Sequence, residues 1–166
     1  MIRSLKILLA VIVAYWGLIG AMGNLMSLDI TYQYVEMVTT FSGIPPKEGA
    51  ELPPWQTSSP IVVSLGVLLI ISGKLGAFIF CSLGAYKMTK AYKASAEQFA
   101  QAKQFAILGC GLAVAMLFGG FIVIGETMFL MWANPDGAAA AQSAWRYGGF
   151  MALTMIFIGQ RESYND

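Results

Sequence analysis

Four long apolar stretches, about 6–27, 61–86, 105–131 and 145–159, fill most of this 166-residue chain, and two of them carry an ion. A helix needs roughly 20 apolar residues to cross the hydrocarbon of a bilayer. The first three stretches meet or exceed that length, and the fourth is shorter. Hydrocarbon offers no hydrogen bonds to a backbone, so segments of this kind are confined to helices. The expected fold is therefore an all-α membrane protein. It is an antiparallel four-transmembrane-helix bundle in a single domain over 1–166, with an extracytoplasmic loop between helices 1 and 2.

Composition narrows the chemistry. The chain is 57% hydrophobic and 11% charged, too apolar for an ordinary soluble domain, and its net charge is +1. No basic cluster with interleaved aromatics is present, so a nucleic-acid partner is not expected. The absence of histidine removes bis-histidine haem and the commonest zinc sites. There is no phosphate loop, no metal-ligand cluster and no nucleophile beside a base, so neither enzyme activity nor a cofactor or metal is expected. Met116, Met128, Met131, Met151 and Met155 read as adaptable packing rather than a copper site. Cys81 and Cys110 fall at similar depth in neighbouring spans and read as small buried hydrophobes, with sulfur contact as the alternative.

The first stretch follows Arg3 and Lys6, is too long for a signal-peptide core and ends in Gly23 and Asn24 without a small-x-small cleavage pattern, so a retained helix is expected. From Asp29 to Pro60 the character changes. Pro45, Pro46, Lys47, Glu48, Gly49, Pro53, Pro54 and Trp55 mark a solvent-side loop. Tyr34, Val35 and Val38 can share one helical face, which would lay the first part of the segment at the interface with Tyr32, Tyr34 and Trp55 as anchors; an ordinary loop is the alternative. Residues 87–104 form a polar connector carrying Lys87, Lys90, Lys93 and Lys103 against Glu97 alone. Trp132 to Ser143 reads as the turn into the last span, which opens with Trp145, Arg146 and Tyr147.

Arg3, Lys6, the four connector lysines and Arg161 fall on one face, with Lys47 and Arg146 on the other. The positive-inside rule then places both termini in the cytoplasm of a bacterium, the protein being a multi-pass component of the inner membrane.

The two intramembrane ions are Lys74, midway along the second span, and Glu126, near the outer end of the third. Each requires a partner, water or the bundle interior. Antiparallel placement sets their Cα depths roughly 10 Å apart, and a lysine stem recovers about half of that. A structural pair, a proton or ion path, and contact with a partner subunit are the three roles open to them. Arg146 is expected near Glu126, with snorkelling to headgroups as the alternative. Ser72, Gly73, Gly76 and Ala77 surround Lys74 with small side chains that allow close helix approach, within the bundle or towards another subunit.

The chain resembles the bacterial predicted small integral membrane proteins catalogued as domain of unknown function 2165. The resemblance covers nearly the whole chain. It is carried by Asn24, Asp29, Tyr34 and Val35; by Leu83, Gly84 and Ala85; by Phe99 and Lys103; and by Gly125, Glu126, Phe129, Met131 and Trp132 followed by Ala144, Trp145 and Arg146. Met37 stands where the family carries a histidine, and Lys74 where it carries an acidic residue. The resemblance implies four spans and supplies no activity. The reading is a non-enzymatic accessory or assembly subunit of a larger membrane complex. Its partners are the bilayer and other membrane subunits or further copies of itself. The alternatives are a small transporter, channel or proton-coupled component using Lys74 and Glu126, or a membrane immunity or sensor-type binding protein. The site candidates are Lys74, Glu126 and Arg146, with Asn24, Asp29, Tyr34, Trp55 and Trp132 at the loop and interface.

Overall fold

The computed structural model describes residues 1–44 and 51–162, and among these every regular element is helical. The expected loop residues Pro45, Pro46, Lys47, Glu48 and Gly49 lie outside the described residues. Helix α1 spans Ile2–Met26 and breaks at Ser27. The chain resumes at once as α2, Leu28–Thr39, with Asp29 in its first turn, where a carboxylate complements the helix dipole. The segment that sequence left open between a loop and a helix is thus a helix, and a left-handed residue, Phe41 at φ 56°, follows its end.

Helix α3, Pro60–Lys90, opens with proline at its first turn and closes with Lys87 and Lys90 in its last. The connector expected over 87–104 is shorter than its composition suggested. Only 91–95 turns; Ser95 and Gln98 then form a capping box that starts α4, Ala96–Ala102. Helix α5, Gln104–Val114, follows almost directly. From Ala115 to Met128 the same rod continues with the wider i→i+5 winding of a π-helix, closed by the Phe129 amide on Ile124 O at 3.2 Å. Leu130, at φ 50°, ends it.

The last helix, α6, runs over Pro135–Gly159 and corrects the turn expected over 132–143. The Asn134 side chain accepts from the amides of Asp136 and Gly137, Pro135 fills the first turn and Asp136 adds a favourable charge, so a complete set of start signals lies ten residues ahead of the aromatic cluster at Trp145. Three segments, Ile2–Met26, Pro60–Lys90 and Ala96–Met128, are long and apolar enough to cross a membrane. Helix α6 is as long as α1, but its first half is rich in Ala, Gly, Gln and Ser.

Small residues bring the helices together. A methyl group at Gly17 would stand 2.6 Å from Lys74 O, and one at Gly109 would stand 2.7 Å from Cys81 N, so α1 and α5 both approach the α3 backbone. Gly73 and Gly76 face Met116 and Leu112, which assigns the small surface around Lys74 to internal packing. Ala10, Ala77, Cys81, Ala106, Cys110 and Ala113 are fully buried between them. Long apolar side chains such as Ile61, Leu68, Phe150 and Leu153 point outward, as expected for surfaces meeting lipid.

The contacts define two ends. At one, Arg3 donates to Tyr92 O and Ala94 O at 2.7 and 2.8 Å, and Lys6 reaches Gln160 O. The N-terminus, the 91–95 turn and the end of α6 therefore meet. At the other, Tyr34 meets Asp136, and Asn134 donates to Ser42 O at 2.7 Å.

Candidate functional site

Lys74 is half-buried between α1 and α3. Its stem lies against Gly20, 3.1 Å from where a methyl group would stand, and its Nζ donates to Asn24 Oδ1 at 3.1 Å and Gly20 O at 3.4 Å. Two sequence candidates, Lys74 and Asn24, are thus brought together. Both partners of the ammonium are neutral. A direct ion pair between Lys74 and Glu126 is not formed: among the described residues, the ion pairs within 4 Å are Lys6–Glu162 and Lys103–Glu162. The reason is the face of α3: the Lys74 stem lies on the α1 side, against Gly20, whereas the third rod that carries Glu126 packs against Gly73 and Gly76. Arg146 is exposed and donates to Ser143 Oγ at 3.2 Å, one turn earlier on its own helix, without an ion pair to Glu126. Glu126 is half-buried, and among the described residues it has no ion-pair partner.

The interface candidates scatter around the opposite end from the N-terminus. Tyr34 donates to the Asp136 carbonyl, and burial together with the Asp136 charge raises its hydroxyl above the ordinary tyrosine range, so it stays a donor. Trp55 donates from Nε1 to Met128 O at 2.8 Å, tying the segment before α3 to the end of the wide helix. Asp29 and Trp132 are exposed. Beneath α2, a cavity of about 270 Å³ lies between α2, the first half of α3 and the wide helix.

The most buried charges were not among the sequence candidates. Lys6 and Lys103 converge on Glu162, at 2.6 and 3.1 Å, and both ammonium groups also donate to Gln160 O, at 2.6 and 2.7 Å. All three side chains are at most 3% exposed. Burial pushes the Glu162 carboxyl up, but the hydrogen bonds and charges of the two lysines outweigh it and hold the group below its ordinary value. Sequence counted Lys6 and Lys103 among the positive charges of one face, with Lys103 also carrying the family resemblance, and did not single out Glu162. Partners separated by 156 and 59 positions leave no local spacing to read.

Cys81 and Cys110 carry free thiols 3.9 Å apart, both fully buried, with Cys81 Sγ donating to Ala106 O at 3.6 Å. The contact alternative holds for them.

A family model described as a predicted small integral membrane protein (DUF2165) matches residues 2–161. No curated protein and no solved structure matches the chain.

Proposed function

We propose, from the premise that this chain belongs to the DUF2165 family of predicted small integral membrane proteins, that it is a non-enzymatic accessory or assembly subunit of a larger complex in a bacterial inner membrane. Helix α6 supplies the fourth crossing, since 25 residues at 1.5 Å each extend about 37 Å, enough for the hydrocarbon core. The four long helices then form an antiparallel bundle with both termini in the cytoplasm.

The observation that carries this reading is Lys74. Its ammonium sits among spanning helices with a side-chain amide and a backbone carbonyl as partners and no carboxylate within 4 Å among the described residues. Neutral partners lower the cost of a charge in hydrocarbon without cancelling it. An acidic side chain from another subunit would complete the site, and docking would then favour the bound state over the free protein.

The test is mild-detergent purification of the wild type and Lys74→Met from the native host. Methionine keeps the length and apolar stem of lysine, so the bundle is retained. The wild type is expected to carry a stoichiometric membrane partner that the variant carries weakly or not at all. A lone wild-type protein that moves ions in liposomes would replace this reading with that of a small transporter or channel.

A further inference from the structure

The cavity beneath α2 owes its existence to the wide winding of the third rod. From that rod it is lined by Met116, Gly120, Phe121, Ile124, Gly125 and Phe129. The spacings run four or five, then four or five, then four or five, which is the repeat of about 4.4 residues per turn that i→i+5 bonding produces. On an α-helix, at 3.6 residues per turn, Met116 and Gly125 would fall on opposite sides. The winding thus gathers two glycines and two aromatic rings onto one face, opposite Val35 and Val38 of α2 and Leu65 and Leu69 of α3.

Nothing in the lining asks for water. The two hydroxyls present are already used, Tyr34 on Asp136 O and Thr39 on Glu36 O. A cavity without free polar partners does not hold ordered water, and left empty it forfeits the dispersion contacts of every wall. Its wall residues also form part of the outer surface: Val62, Leu65, Leu69 and Ile124 are 40–59% exposed. The space is therefore continuous with the surface that meets lipid. Its α3 wall, Val62 to Ile70, lies about 3–15 Å along α3 from Pro60, running from near the headgroups into the depth of acyl chains.

We infer that this cavity is a binding site for one acyl chain of a bilayer phospholipid. An acyl chain fits where a quinone ring does not, because no lining hydroxyl is free to donate to a ring carbonyl. The inference does not depend on the reading of Lys74.

The full chain, reconstituted in phosphatidylethanolamine and phosphatidylglycerol vesicles with a trace of phospholipid carrying a diazirine in its acyl chain, would be irradiated and the adducts mapped by peptide mass spectrometry. Adducts are expected to concentrate at Phe121 and Phe129, several-fold above Phe118 and Phe150, although these two are 52% and 70% exposed. Gly120→Leu fills the cavity and should abolish the enrichment. Gly119→Leu should preserve it, because a side chain there meets nothing within 4 Å. Should Gly120→Leu fail to fold, Gly120→Ala decides, since its added methyl stands at an ordinary 3.5 Å from Leu69 and should lower labelling part-way. Labelling that follows exposure alone, that is unmoved by these Gly120 variants, or that is stronger with a diazirine-bearing isoprenoid quinone than with the phospholipid overturns the assignment.

Discussion

Glu162 neutralises one of two buried ammonium groups and hydrogen-bonds both, so it is the single side chain whose removal leaves most charge uncompensated. Breaking a buried ion cluster by deleting one partner costs about 3–5 kcal/mol. Glu162→Gln is expected to lower the thermal midpoint in mild detergent accordingly, and adding Lys6→Met and Lys103→Met should recover much of the loss. The pH dependence follows in sign. A carboxyl held below its ordinary value of 4.5 contributes stability that is present above that pH and is lost as pH falls through the lower folded-state value. The acid limb of the wild-type unfolding profile should therefore be steeper below pH 4.5 than that of Glu162→Gln. Lys74 and Glu126 behave differently. With no ion pair between them, Lys74→Met and Glu126→Gln should combine additively within about 0.5 kcal/mol in a double-mutant cycle, whereas a direct pair would show coupling. Sequence located these two ions by their cost in hydrocarbon. It did not show that Lys74 turns to Asn24, because which face a side chain takes depends on how α1 crosses α3 at Gly17.

At the level of elements, the apolar stretches were legible because each is a local property, and their ends were not. The start of α6 was hidden by the aromatic group at Trp145, which resembles an interface boundary, although Asn134, Pro135 and Asp136 spell the helix start earlier. Asn134 does two jobs, capping α6 and donating to Ser42 O beyond α2. Asn134→Ala should cost about 1–2 kcal/mol, the upper part of the usual cap range, read by thermal unfolding, while Asn134→Asp keeps the cap acceptor and recovers part of it. The wide winding of Ala115–Met128 had no sequence counterpart. Its apolar residues are too continuous to reveal a period, and only the positions lining the cavity show one.

For the whole molecule, the contacts of Arg3 with the 91–95 turn and of Lys6 with Gln160 bring three positively charged regions to one end, which the proposed orientation places in the cytoplasm. An impermeant thiol reagent applied to whole cells should therefore reach a cysteine at Glu51 but not one at Lys93, in a background lacking Cys81 and Cys110. The reverse pattern would invert the topology.

The joint between Lys6, Lys103 and Glu162 also sets an order in time. A ribosome adding about 5–20 residues per second needs on the order of ten seconds to travel the 156 positions from Lys6 to its acid. Until Glu162 is made, the Lys6 ammonium on α1 and, once it has been synthesised, that of Lys103 at the start of α5 have no acid to meet. The joint closes only when Glu162, made after both lysines, arrives, as a keystone closes an arch. A nascent chain stalled before Glu162 would lack the acid on which both lysines converge.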